Sequence, residues 1–322
     1  MKSIKSLKTS ILLVLLFLNL YFFSGCQQKP QLSSEEKKST IEQTLINSFL
    51  TNNKLNYQLD INTKIVGKTF WIYIATDQEI ISLETQPSEE LLPKIIKFID
   101  VKSTFKNSNF TIEYIFLKNK PDEYSPFLKN RDILQEKSLL GKELYPETTN
   151  QFLEIFQKTY VAIGDIISDV RDINFFVIAI ADIKRGIKST LVIHKLDLEK
   201  SLLNILPYNE FSNRIFRRNV KDPEIKNDKY GLHIKYIDIS LIDFLNNQIE
   251  SKVFSKLYEM LKFEAKKVQE LEDIQEIILK SLYEVVILNY EFYDFYVVDV
   301  TDMISKKSFT ISKSSLIKKF KE

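Results

Sequence analysis

The sequence predicts an α+β fold in which antiparallel β-hairpins pack against long amphipathic helices, in two or three repeat-like helix–strand–strand units. Three observations predict it. The apolar period switches along the chain between two residues, as in strands, and three to four, as in helices. A short apolar strand signal ending in Asp recurs at 70–77, 175–182 and 295–302. Residues 241–289 hold helical spacing with no Pro or Gly to break it.

The N-terminus has its own logic. Lys2, Lys5 and Lys8 make a basic start with no acid before Glu35. Ile11 to Phe23 is an apolar run broken only by Asn19, and Ser24-Gly25-Cys26 opens a polar stretch. Together these read as a signal peptide over 1–25. The run is shorter than the roughly 18 apolar residues a membrane span needs. Phe23-Ser24-Gly25-Cys26 resembles the lipobox of bacterial lipoproteins. Phe23 stands where that family usually carries Leu, a departure that the looser lipoboxes of spirochaetal lipoproteins accommodate. The resemblance implies that Cys26 carries the lipid and that a bacterial membrane, the outer membrane for preference, holds the chain in the cell envelope. The body is then periplasmic or surface-exposed. Diacyl and acyl chains exceed the two signals that stable anchoring needs, each buried CH₂ adding about 0.8 kcal/mol. The tether, 26–32, spans roughly 20 Å even when extended.

Residues 33–120 form an N-terminal α+β unit. Ser33 and Glu36 fit a capping box, and Ile41, Leu45, Phe49 and Leu50 then recur at helical spacing, predicting a helix over 34–51. Leu55 to Ile61 alternates as a half-buried strand does, and Thr69 to Ala75 is apolar on both faces, as in a central strand. A helix near 88–99 and a strand near 109–118 follow. Pro121, Pro126, Gly141 and Pro146 mark 121–146 as a connecting region.

The central unit, 147–206, starts at a Thr148/Thr149 cap. Phe152, Ile155, Phe156, Tyr160, Ile163, Ile166, Ile167 and Val170 make one helical stripe. Strands are expected from Asn174 to Ala181 and from Thr190 to Leu196, joined by a turn at Asp182–Lys188. Residues 207–231, with two Pro, one Gly and the cluster Arg214, Arg217 and Arg218, read as a loop. The last unit, 232–322, opens with a strand near 232–239. Its long helix over 241–289, breaking near Glu272–Asp273, leads to a hairpin formed by 295–302 and 308–312.

The recurring signal aligns without gaps: Phe70 to Asp77, Phe175 to Asp182 and Phe295 to Asp302. The second and third copies each follow a helix and precede a turn and a strand. Asp77, Asp182 and Asp302 are read as turn residues, because an Asp that closes a strand can bond backbone two residues on.

Residue types narrow the chemistry. With its single Cys acylated the body has neither disulfide nor Cys-ligated metal. The formal charge of +2 includes three lysines of residues 1–25, which hold no acid, so the rest carries −1. Such a balance makes no electrostatic case for nucleic acid. His194 and His233 are the only histidines, and both read as ordinary strand residues. Gly67-Lys68-Thr69 echoes the end of a phosphate loop, but Asn62 stands where the pattern needs Gly, and a strand follows instead of a helix. Asp165, Asp169 and Asp172 read as a solvated helix face and its exit, and Asp299 as facing water on an edge strand. Tyr290 to Tyr296 is an aromatic cluster for packing or for a partner surface. No cofactor, metal or catalytic residue is implied. The expected function is a non-catalytic envelope component that is membrane-bound through Cys26 and binds a protein partner. A carrier of an apolar ligand or lipid is the alternative, and a carboxylate-based glycan or cell-wall hydrolase the third.

Overall fold

A helix that overruns its expected end sets the entry to the body. The computed structural model describes residues 43–44, 46–57, 59–82, 98–117, 147–263 and 271–321, and its elements lie in the unit Ile46–Glu322. Cys26, the cap at Ser33 and the connecting region 121–146 lie outside the described residues, as does the helix expected near 88–99 except for its last two residues, which begin a strand instead. Helix α1 (46–52) continues into a wider, π-type turn at Asn53–Tyr57. The helical backbone thus runs through residues whose alternation suggests a strand, and the Asn53 side-chain amide also donates to the Phe49 carbonyl at 2.8 Å. The strand expected over 55–61 therefore starts only at its end: β1 is Ile61–Val66, followed by β2, Thr69–Thr76.

The remaining strands are β3 (Ile81–Ser82), β4 (Phe98–Lys106), β5 (Asn109–Leu117), β6 (Glu147–Thr148), β7 (Phe175–Asp182), β8 (Ile187–His194), β9 (Phe216–Lys221), β10 (Val297–Asp302) and β11 (Ser308–Ser312). The helices are α2 (Asn150–Ile166), α3 (Lys195–Leu202), α4 (Tyr208–Arg214), α5 (Leu241–Phe263), α6 (Leu271–Leu282) and α7 (Lys313–Phe320). Thr149 caps α2 by accepting from the Phe152 amide, as the Thr148/Thr149 signal predicts. After α6 the chain widens into a π-type turn, Tyr283–Asn289.

The fold is α+β with two mixed sheets, ordered β1-β2-β7-β8-β9 and β11-β10-β5-β4. Hairpins build both, but the hairpins join through parallel pairs, β2 with β7 and β5 with β10. The expected antiparallel hairpins are present, and the parallel joins between them are an addition to that expectation. Parallel pairs are stable when both faces are covered, and the first sheet meets that demand. All eight residues of β7 are buried. Phe175, Val177 and Ala179 share a core with Ile225, Ile234 and Phe244, while Phe70 on the other face meets Phe176 and Phe49 of α1. In the second sheet Phe110, Ile112, Val298 and Val300 pack with Leu245, Ile249, Val253, Ile278 and Leu282 of α5 and α6. Each fully buried side chain of this kind contributes about 1.5–3 kcal/mol.

The two sheets share a plan down to single hydrogen bonds. Asn174 N–H donates to the Lys68 carbonyl and Tyr296 N–H to the Ser108 carbonyl, each at 2.8 Å. Ile183 N–H reaches Thr76 and Met303 N–H reaches Tyr114, each at 2.9 Å. Gly186 N–H closes its turn on Asp182, as Lys306 N–H does on Asp302, again at 2.9 Å. Both turn residues have positive φ, +67° and +58°. Lys195 N–H and Lys313 N–H, opening α3 and α7, return to Asn174 and Tyr296 at 2.8 Å. Thus β7–β8–α3 resembles β10–β11–α7. The turns match as the alignment has them, Asp182 with Asp302, but the strand starts match two residues out of it, Asn174 with Tyr296, because β10 is two residues shorter than β7. The copy at 70–77 differs: β2 is the second strand of its hairpin, and its counterpart is β5.

Two segments depart from expectation. Residues 207–231 are no loop: they hold α4, β9 and a single 3₁₀ turn at Pro223–Ile225. Antiparallel pairing with β8 makes the strand, overriding the polar sequence Arg217-Arg218-Asn219. Conversely, residues 232–239 form no strand. Their backbone is held by side chains, the Asp228 carboxylate accepting from the Tyr230, Leu232 and His233 amides.

Candidate functional site

Arg214, Arg217 and Arg218 are close in sequence but serve three places. Arg217 lies on β9 with its guanidinium 4.4 Å above the Phe152 ring; its Nε donates to Ser189 and Asn219. Burial lowers its pKa to about 10. Arg218 is exposed on the same strand. Arg214, at the end of α4, turns inward and organises a largely buried polar cluster.

That cluster sits where the two cores meet, because Leu241 and Tyr290 pack against both. Arg214 Nε donates to Glu210 at 3.0 Å and Nη1 to Asp197 at 3.2 Å. The Tyr290 hydroxyl donates to the other Asp197 oxygen at 2.7 Å. Gln248 of α5 holds the Arg214 carbonyl at 2.8 Å. Asp197, only 3% exposed, therefore spends both oxygens on internal donors. Burial, then the charge and hydrogen bond of Asp197, raise the Tyr290 pKa well above its usual value. His194 ends β8 and precedes α3, its ring packed on Phe175, Phe244 and Tyr290 with centroids 5.2–6.1 Å away. Burial lowers its pKa, against the opposing pull of Asp197. This arrangement is a clasp. Asp197 holds Arg214 and Tyr290 together, Glu210 keeps a solvent-facing side, and His194 Nδ1 is buried without a hydrogen-bond partner among the described residues.

The other singled-out residues are spent similarly. Gly67 takes the first position of the β1–β2 turn at φ +58°, and a Cβ there would run into the Asp238 carboxylate. Asp238 accepts from the Lys68 amide and the Thr69 hydroxyl at 2.9 Å. Asp182 accepts from the Arg185 amide, and Asp302 from the Ile304 amide and the Ser305 hydroxyl, which is the predicted turn chemistry. Asp77 does not share it; it pairs with Lys184 at 3.4 Å. Asp165 accepts from the Tyr57 hydroxyl, whereas Asp169 and Asp172 are exposed. Asp299 is corrected: β10 is an inner strand, and the carboxylate is half-buried, accepting from Thr310 at 2.6 Å. His233 is exposed, holding Asp228 only through its amide. Among the described residues no group of three His, Cys, Asp or Glu is placed to hold a metal.

What remains for a partner is surface. Leu203 and Ile205, on the turn between α3 and α4, and Tyr208, the first residue of α4, are 70%, 67% and 56% exposed. Asn204 bends this turn at φ +56°, and Leu206 is its buried foot. The run Leu202-Leu203-Asn204-Ile205-Leu206 hides this exposure, since its apolar content reads as core. The aromatic cluster divides: Tyr290 and Phe295 enter the cores, while Tyr293 and Tyr296 remain exposed. No described helix is long and apolar enough to cross a membrane. No family model, no curated protein and no solved structure matches the chain.

Proposed function

We propose that this protein is an envelope lipoprotein, anchored to a bacterial membrane through Cys26, whose body binds another protein and performs no catalysis. The observation that carries the reading is the exposed apolar group of Leu203, Ile205 and Tyr208. Large apolar side chains grouped at a surface mark interaction sites more often than isolated ones do. The clasp around Asp197 supports the non-catalytic part, since Asp197, Arg214 and Tyr290 already hold one another. The lipobox resemblance supports the anchor, with the outer membrane favoured.

A photo-crosslinking residue at position 205, introduced in intact cells, tests the partner. A discrete adduct that disappears when Leu203→Asp is added is the expected result; no adduct at 203, 205 or 208 removes the reading. Incorporation of labelled palmitate, abolished by Cys26→Ser, tests the anchor. Protease shaving of intact cells then separates a surface-exposed body from a periplasmic one.

We also read the two sheets as copies of one ancestral plan, in which helix–strand–strand units recur. The paired hydrogen bonds at Asn174 and Tyr296, and at Asp182 and Asp302, support this. They fall on turn backbone, where apolar composition alone would not dictate a match.

A further inference from the structure

The shared plan exposes one difference with a functional consequence. In the first sheet β8 is not the last strand, because β9 pairs with its outer side. In the second sheet the corresponding β11 is the last strand. Counting back from Lys195 and Lys313, Thr190 and Val192 correspond to Ser308 and Thr310. Thr190 and Val192 pair with Arg218 and Phe216 of β9. Ladder bonds alternate along an antiparallel pair. Asp302 N–H bonds Lys307 and Lys313 N–H bonds Tyr296. Ser308 and Thr310 therefore turn their N–H and C=O groups away from β10, into the place that β9 fills in the other sheet. Residues 308–310 are exposed.

The surroundings of this edge specify charge. From Met303 to Lys321 the chain has Lys306, Lys307, Lys313, Lys318, Lys319 and Lys321 and no Asp or Glu. α7 keeps Leu316 in the core and leaves Lys318 exposed, while Lys319 pairs with Glu276 at 3.6 Å and Lys313 Nζ donates to the Tyr293 carbonyl at 2.7 Å. Pairing of β11 with a second copy of itself, centred on Thr310, would set Lys307 of each copy opposite Lys313 of the other. Like charges directly opposite are unfavourable. An acidic strand meets no such penalty.

We infer that β11 is a strand-addition site for an extended, acidic polypeptide segment of a partner protein, which takes the position that β9 holds in the first sheet. Main-chain bonds to Ser308 and Thr310 supply affinity, the lysines select acidic sequences, and Phe309 offers apolar contact. The inference concerns a different surface from the turn at Leu203 to Tyr208, and either can fail alone.

The test titrates the full chain with a labelled ten-residue peptide alternating Glu and Val, read by fluorescence anisotropy. Two control peptides carry Lys for Glu, or Pro at two of the Val positions. Saturable binding of the acidic peptide, with slowed hydrogen exchange at Ser308 and Thr310, is expected. Both controls should bind at least about tenfold more weakly. Thr310→Pro removes one outward donor without touching a ladder bond to β10, and should weaken binding by about tenfold. Should that variant fold poorly, Lys306→Glu/Lys307→Glu serves instead, with an expected loss of roughly three- to tenfold that shrinks as salt is added. Equal binding of the acidic and proline peptides, or of anionic phospholipid vesicles with no protection at Ser308 and Thr310, would reduce the site to a charge patch and overturn the inference. So would a concentration-dependent dimer that protects these amides, or no binding at all. Crosslinks from position 205 would survive each of those results.

Discussion

In the first sheet β7 is buried along its whole length and β8 is covered by β9; in the second, β10 buries alternate residues and β11 stands at an exposed edge. The backbone plan is common, so the difference comes from what the chain supplies around it. After β8 it forms α3 and α4 and returns as β9; after β11 it forms α7. The inner strand β7 therefore reads as continuous apolar sequence and its counterpart β10 as alternation. Polar pairs stabilise the outer face of the second sheet, Thr310 with Asp299 and Thr301 with Ser308. One plan can thus serve as a two-sided core or as a one-sided sheet with an edge to offer.

Substitutions can break or sharpen this contrast. The largest expected effect is at Phe176 in the doubly buried strand: Phe176→Ala should cost about 3–5 kcal/mol. Thr111→Ala, on the polar face of the second sheet, should cost less than about 0.5 kcal/mol. Urea unfolding measures both, and equal losses would deny the contrast. Next is Asp197, whose removal strands Arg214 and Tyr290 where the cores meet. Asp197→Ala should cost about 3 kcal/mol, against about 1 kcal/mol for Asp299→Ala, which loses only the Thr310 bond.

The two-residue turns give a smaller, two-signed test. Gly67→Ala meets both positive φ and the Asp238 carboxylate, and should lower stability by about 1–3 kcal/mol. In the corresponding β4–β5 turn Asn107 and Ser108 hold φ values of +50° and +59°, so Ser108→Gly should raise stability by about 0.5 kcal/mol. Thermal unfolding of both variants reads the signs.

The smallest effect is a pH dependence. Burial lowers the His194 pKa below its unfolded value of 6.5. The unfolded chain therefore takes up the proton first as pH falls. Stability from the neutral imidazole is complete above that value and is lost as pH drops below it. His194→Phe should lose less stability than the parent between pH 7 and pH 5, measured by urea midpoints at each pH.

Much of this was legible from local signals. Thr149 and the stripe from Phe152 mark α2 because a cap and a helical face are local properties. Asp182 and Asp302 mark their turns because their bonds reach only two or three residues along the chain. The clasp carried no comparable signal. Asp197, Arg214 and Tyr290 lie far apart in sequence, and Arg214 looks no different there from Arg217 or Arg218. The β9 strand was hidden for a related reason: its sequence is polar, and the β8 edge makes it a strand.

By itself the sequence determined the α+β class, the hairpins with their Asp turns, the helical stripes and the lipobox-like segment around Cys26, since each rests on periodicity or on contacts between near neighbours. Only the tertiary structure decided which hairpins pair in parallel, which arginine is buried, that Leu203 and Ile205 face outward, and that β11 has an open edge. Those outcomes depend on long-range pairing and burial, where the same residue type is stable inside or outside according to what folds against it.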